Sequence, residues 1–262
     1  MLFNSLEFAL FLPIVFAIYW LLGKRLRLQN AFVVLASYVF YGWWDWRFLP
    51  LIAFTSLCSW GSGLLINRTP YTVHRTLSPK FWMAANIFIN LGILAVFKYY
   101  DFFVSEFGHI FGISTESLLL RIILPVGISF YTFQALSYLI DVYRGEVKAQ
   151  KDIYKLALYI CLFPPLIAGP IVKYHDVEEQ IEDREVNFEQ VIIGVKRFII
   201  GLSKKVLIAN TMGAIADKIF TQAPDAFGHG IAWLGAIAYT FQIYFDFSGY
   251  SDMAIGLGLI FG

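Results

Sequence analysis

MLFNSLEFALFLPIVFAIYWLL, residues 1–22, opens the chain with an apolar run interrupted only by Asn4, Ser5 and Glu7 near its start. About 20 mostly apolar residues suffice for a helix to cross a bilayer core. A secretory signal has a shorter apolar core, a basic leader and a small-residue cleavage site. This stretch has no basic leader and no such site, so it reads as a retained first span. Runs of similar length recur at 29–46, 48–66, 80–100, 120–140, 188–209 and 229–247, and an eighth begins near Tyr250 and reaches the end of the chain. The composition agrees: 58% of residues are hydrophobic and 15% charged, against roughly 45–50% and about 25% in a soluble domain. Too few charges are present to cover a water-facing surface. The expectation is an all-α polytopic membrane protein of seven to eight hydrophobic helices, with the lipid bilayer as its first partner.

A net charge of +1, with basic residues scattered between apolar runs, gives no electrostatic footprint for nucleic acid. Cys58 and Cys161 lie inside apolar runs, where a thiol behaves as a small hydrophobe; neither a disulfide framework nor a metal site is expected. No low-complexity linker divides the chain. The echo of YTFQ at Tyr131–Gln134 and Tyr239–Gln242 reads as chance in so aromatic a sequence.

Three stretches do not fit a regular span. FFVSEFGHIFG (102–112) is short and mixed, and fits a helix lying at the interface. KYHDVEEQIEDREVNFEQ (173–190) carries the densest charge and belongs in water. CLFPPLIAGPI (161–171) is apolar, but Pro164, Pro165 and Pro170 each lack a donor and push the preceding residue out of helical geometry; it reads as a proline-broken, re-entrant segment, or else as a kink at a helix end.

Polar residues inside spans carry the functional signal. Helical positions three, four and seven apart share a face, which puts Tyr131, Gln134, Tyr138 and Asp141 on one stripe and Tyr239, Gln242, Asp246 and Tyr250 on another. An Asp in hydrocarbon costs about 2.5–3.5 kcal/mol, so such residues face protein or a wet cavity. The bland reading of Gln134 and Gln242 is interhelical hydrogen bonding; Asp246 points to a cavity wall. In DFSGYSD (246–252), Ser248, Ser251 and Asp252 lie opposite Asp246 and Tyr250 on a continued helix. Either the helix breaks at Gly249 or both faces are buried in protein. Lys196, Arg197, Lys204 and Lys205 are read as side chains snorkelling to an interface, the sharper alternative being a site for an anionic acyl donor.

Phosphate loops, HExxH helices, G-x-S-x-G elbows and Cys-x-x-Cys pairs are absent from the sequence. His74, His109, His175 and His229 fall in loops or at an interface, where solvation is the ordinary reading. No residue in the chain is assigned as catalytic.

The blocks ILPVGISFYTFQALSYLIDVYRGE (123–146), FPPLIAGPI (163–171), GLSKKVLIAN (201–210) and YTFQIYFDFSGYSDMAIGLG (239–258) resemble those of the membrane-bound O-acyltransferase family. MLFNSLEF and ASYVFYGWWDWRF (36–48) are similar to its alginate O-acetyltransferase branch, while the D-alanyl transferases of teichoic acid modification are alike in plan but less close. The resemblance implies a ring of helices around a thinned centre, where an acyl group, acetyl in the first instance, passes from a cytoplasmic donor such as acetyl-CoA to hydroxyls of an extracellular polysaccharide. No bound cofactor is implied; periplasmic or extracellular acetylation partners are. It further implies that residues 1–262 form the N-terminal half of the domain, cut in its last helix, and that the family's catalytic histidine lies downstream of Gly262. Tyr131, Gln134, Tyr138, Asp141, Pro164, Pro165, Pro170, Gln242, Asp246, Ser248, Tyr250, Ser251 and Asp252 are then candidates for a tunnel wall. Without the resemblance, the same polar stripes suit a transporter or channel subunit equally well, and a structural membrane partner stays open.

Lys and Arg accumulate in short cytoplasmic loops. Lys24, Arg25 and Arg27 follow the first span, Arg68, Arg75 and Lys80 bracket the loop after the third, and Arg144, Lys148 and Lys151 follow the fifth. Only Arg47, Lys98 and Arg121 mark the alternate side. The N-terminus is therefore expected outside the cell membrane, with loops 23–28, 67–79 and 142–152 in the cytoplasm. Single cysteines placed in these loops are expected to resist a membrane-impermeant thiol reagent on intact cells; labelling of all three inverts the topology.

Overall fold

The structure is a computed structural model that describes residues 1, 3–23, 25–68, 78–113, 115–167, 169, 172–184, 187–222 and 228–262. Lys24, His74, Arg75 and Pro170 lie outside the described residues. Helix dominates, and no strand occurs among the described residues. The helices are α1 (Leu6–Leu21), α2 (Leu26–Asp45), α3 (Leu49–Arg68), α4 (Pro79–Phe111), α5 (Ile128–Arg144), α6 (Ile153–Cys161), α7 (Phe163–Leu166), α8 (Tyr174–Glu182), α9 (Phe188–Ser203), α10 (Asn210–Phe220) and α11 (His229–Phe261). By length and composition, the helical stretches Leu26–Arg68 and Pro79–Phe111 are long and apolar enough to cross a bilayer. The fold is an all-α membrane fold.

Helix ends follow local chemistry. Ser5 and Ser78 cap α1 and α4 by accepting from the Phe8 and Phe81 amides, each at 3.3 Å, and Pro79 fills the first helical position, where its missing N–H costs nothing. Gly145, at φ +76°, closes α5 in the left-handed conformation that glycine adopts without strain.

Four boundaries differ from the sequence reading. Residues 102–111 are no separate interfacial helix but the last three turns of α4, because no breaker interrupts the run before Gly112 at φ +64°. The span expected at 120–140 begins only at Ile128; the chain before it is held irregular by Asp101, whose carboxylate accepts from the Leu120 amide at 2.9 Å and the Ile122 amide at 3.0 Å. The span expected at 188–209 runs on through a π-helical turn, Lys204–Ala209, into α10. The seventh and eighth spans are one unbroken helix, α11, with Gly249 inside it. The proline-broken segment does break: α6 stops at Cys161, Leu162 turns extended at ψ 118°, and Pro164 and Pro165 sit in the four-residue α7.

Two compact units divide the chain, one of Met1–Ala36, Phe163–Pro170 and Asp183–Gly262, the other of Ser37–Leu162 and Ile171–Glu182. In the first, α11 packs on α9, on the π turn and on α10. Its C-terminal end is tied to α1 by the Tyr19 hydroxyl, which donates to the Phe261 carbonyl at 2.5 Å. Arg184 donates in turn to the Tyr19 hydroxyl at 3.1 Å and to Asn30 Oδ1 at 3.0 Å.

In the second unit, α3 and α4 form an antiparallel pair in which Asn86 Nδ2 donates to Ser62 Oγ at 3.1 Å. After α4, the chain returns in α5, which packs on both and so runs parallel to α3. A polar latch closes this unit on its charged side. The Gln150 amide donates to the Tyr138 hydroxyl at 2.9 Å, and Gln150 Nε2 donates to the Tyr174 hydroxyl at 3.0 Å and to Glu182 Oε1 at 2.9 Å. Lys155 forms an ion pair with the other Glu182 oxygen.

The Lys155 ammonium, helped by the Gln150 amide, holds the Glu182 carboxyl below its ordinary range against a partial burial that acts the other way. A carboxyl depressed on folding contributes stability at pH above the unfolded value, about 4.3, and loses it as pH falls through the lower folded value. Glu182→Gln is therefore expected to lower the melting temperature near neutral pH and to flatten its decline between about pH 5 and pH 3. Thermal unfolding in lipid nanodiscs checks both; an unchanged acid limb removes Glu182 from the latch.

Candidate functional site: ion pairs along a glycine seam

Helices α9 and α11 approach through two glycine pairs. A Cβ on Gly201 would lie 2.5 Å from the Gly249 carbonyl oxygen, and one on Gly249 2.7 Å from that of Gly201. Gly194 and Gly256 face each other the same way, at 2.6 Å in each direction. Both pairs are spaced seven residues apart on their helices, so one stripe of each helix forms a seam of bare backbone. In lipid, where no hydrophobic force drives helices together, such small-residue contacts are what bring backbones this close.

Charged side chains flank the seam. Asp252 Oδ1 accepts from Arg197 Nε at 3.1 Å, and its Oδ2 accepts from Lys204 Nζ at 2.6 Å. Lys204 also donates to Ser248 Oγ at 3.1 Å, and Lys205 pairs with Asp246 at 2.7 Å. Both lysines open the π turn in the middle of the helical run from Phe188 to Phe220. A π turn is wider than an α turn and marks functional sites more often than chance; here it lets two consecutive lysines reach the same neighbouring helix. Beyond it, Gly213 faces Gln242 and Gly235 faces Ile219.

The pairing corrects the reading of Arg197, Lys204 and Lys205 as snorkelling side chains. They turn towards carboxylates on α11 because an ion pair within the protein offsets the cost of a charge in hydrocarbon. Lys196 is exposed, as is Arg197 despite its pair with Asp252. The choice posed at Gly249 is also decided. The helix continues, since its polar side meets the cations of α9 and the π turn, while Phe247 on the other side stays exposed. Three cations against two carboxylates leave the cluster one positive charge over.

The other candidates scatter. Tyr131, Gln134, Tyr138 and Asp141 are all buried on α5 in the second unit. Pro164 is buried and Pro165 half-buried in the first unit. Tyr250 stacks on Phe3 with ring centroids 4.5 Å apart, and the Gln242 Oε1 and Ser251 Oγ atoms are buried with no hydrogen-bond partner among the described residues. The two YTFQ segments differ in environment, Tyr131 being buried and Tyr239 half exposed. His109 and His229 are exposed at helix ends, and His175 pairs with Asp176 on α8. Among the described residues, no group of three His, Cys, Asp or Glu side chains is placed to hold a metal. Sequence reasoning missed the seam and the π turn. The seam had a signal in the matched seven-residue spacing of Gly194/Gly201 and Gly249/Gly256; the π turn had none.

Comparison with known proteins gives a consistent result. The sequence model of the membrane-bound O-acyltransferase family matches residues 40–262. The probable alginate O-acetylase AlgI of Pseudomonas aeruginosa is 43% identical over 267 residues, taking in all of this chain and 50% of that protein. The peptidoglycan O-acetyltransferase of Helicobacter pylori is 34% identical over 292 residues, again across the whole chain and 54% of its own length. The teichoic acid D-alanyltransferase of Bacillus subtilis is 27% identical over 144 residues, covering 52% of this chain and 35% of that protein. The chain thus spans about half the length of the curated relatives it matches most fully.

Lys204 and Asp252 form a partly buried pair, and removing one member of it costs about 1.5 kcal/mol, the lower end for hydrogen bonds to charged groups. Asp252→Asn and Lys204→Gln are each expected to destabilise the protein by about that amount, and the double variant by clearly less than the sum. Unfolding of all four proteins in nanodiscs gives the coupling. Simple additivity means that the two side chains do not work as a pair.

Proposed function

The chain belongs to the membrane-bound O-acyltransferase family, and from that premise we propose that it is part of an enzyme moving acetyl groups from a cytoplasmic donor to hydroxyls of an extracellular polysaccharide. The observation that carries this reading is identity along the entire chain to two relatives whose names specify O-acetyl transfer to sugar polymers. The D-alanyl branch is supported over only half the chain, which favours acetyl over alanyl.

The charge cluster suits the reading. An activated acetyl donor of the acetyl-CoA type carries phosphates, and a surplus positive charge amid the helices attracts such a group where water is scarce. On this proposal, Asp246, Ser248, Ser251 and Asp252, with Gln242 and Tyr250, line the path of the donor. Asp246 and Asp252 there position cations and do not themselves react. Transfer to a hydroxyl needs a base to take its proton and donors to steady the oxyanion. As the family resemblance implies, the proposed base belongs to the half of the whole protein that the relatives possess beyond the matched region, and His109, His175 and His229 stand at exposed positions here. The N-terminus faces outward on this reading, with the donor entering from the side where Arg25, Arg144 and Lys151 accumulate.

In cells lacking the native enzyme, full-length protein carrying Asp246→Asn or Asp252→Asn is expected to yield at least about tenfold less acetylated polysaccharide, as for loss of an electrostatic contact worth about 1.4 kcal/mol or more, with membrane expression retained. Residues 1–262 expressed alone are expected to give none above background. Ester-bound acetate on the polymer is the readout. Wild-type acetylation by either aspartate variant takes the cluster out of the donor path, and transfer by residues 1–262 places the base within them.

A further inference from the structure

The second unit holds polar atoms that neither the latch nor the proposed chemistry uses. On α3, Ser56, Ser59 and Gly63 share a face at spacings of three and four; on α5, Tyr131, Gln134 and Tyr138 repeat the same spacings. Gly63 meets Tyr138, a Cβ there lying 2.8 Å from the tyrosine hydroxyl. Because α3 and α5 run parallel, Ser56 falls level with Tyr131 and Ser59 with Gln134. From α2, the Tyr41 hydroxyl comes close to that of Tyr131. All five residues are at most 2% exposed. Tyr41 OH, Ser56 Oγ, Ser59 Oγ, Tyr131 OH and Gln134 Oε1 are each buried with no hydrogen-bond partner among the described residues.

Native interiors leave only a few such groups per hundred residues, and here Ser56, Ser59, Tyr131 and Gln134 fall within a turn of one another on two packed helices, with Tyr41 beside Tyr131. Tyr159, by contrast, shows what a satisfied hydroxyl looks like in this unit, donating to the Val172 carbonyl at 2.7 Å. The five atoms are all neutral oxygens. No carboxylate stands among them to balance a metal cation, and full enclosure shuts out a sugar polymer. A small neutral molecule that both donates and accepts fits this chemistry, and water does so with two to four polar partners. We propose that α2, α3 and α5 enclose a hydration site in which internal water molecules bridge Tyr41, Ser56, Ser59, Tyr131 and Gln134. The contact between α3 and α5 is then wet where Tyr41 of α2 reaches it, and closed below by Tyr138 and the Gln150 latch.

X-ray radiolytic footprinting of the full-length protein in lipid nanodiscs, in ¹⁸O-labelled water, tests this, since radicals form where water is bound. Tyr41 and Tyr131 are expected to label several-fold faster than Tyr159, which is also buried but bonded directly to backbone. The double variant Ser56→Ala/Ser59→Ala is expected to slow Tyr131 labelling several-fold. Labelling of Tyr131 no faster than that of Tyr159 overturns the proposal without recourse to any variant. Tyr131→Phe supplies an independent reading: it lowers the melting temperature if the hydroxyl holds water. An unchanged or higher melting temperature shows a dry, unsatisfied hydroxyl and also overturns the proposal.

Discussion

Close approach of two backbones at Gly194/Gly256 and Gly201/Gly249 is the constraint on which the first unit depends. A single added methyl at any of the four would fall within 2.7 Å of a carbonyl oxygen on the facing helix. No side chain can yield there, because the obstacle is backbone. The seam therefore fixes the separation of α9 and α11, and with it the register in which their side chains meet. Small-residue packing serves in lipid the purpose that apolar burial serves in water.

The ion pairs follow from that register. Arg197 lies between the two glycines of α9 and Asp252 between those of α11, so the seam delivers them to each other across a short gap. Lys204 and Lys205 need the π turn as well, since consecutive residues of an ordinary helix diverge. Charge, turn and seam are thus one device. Glycine sets the distance, the π turn sets the direction, and the surplus cation is what remains after Asp246 and Asp252 are matched.

The second unit solves a different problem with the same materials. Ser56, Ser59, Tyr131, Gln134 and Tyr138 are neutral and layered along the parallel helices α3 and α5. The lowest of them, Tyr138, is satisfied by the amide of Gln150, which also bonds Tyr174 and Glu182 on the water-side helix α8. A span is in this way anchored to a charged surface helix through one glutamine. Gln150 is legible in the sequence only as a polar residue after a glycine-terminated helix, and nothing local announces its contacts with Tyr138, Tyr174 and Glu182.

The sequence alone determined the membrane class, the approximate position of most spans, the break near Cys161 and the stripes on which Tyr131, Gln134, Gln242 and Asp246 lie, because these depend on composition, on proline's missing donor and on the helical period. The motifs also carried the family. Only the tertiary structure decided where helices stop and which polar groups meet. Residues 102–111 look interfacial in isolation yet continue α4. Residues 120–127 look helical yet are held irregular by Asp101 from another segment, and the segment around Gly249 looks breakable yet stays helical against Gly201. Arg197, Lys204 and Lys205 look like interface anchors until their carboxylates arrive from α11, far along the chain. The last three of these outcomes rest on a partner remote in sequence, and a local pattern holds no information about a remote partner's distance.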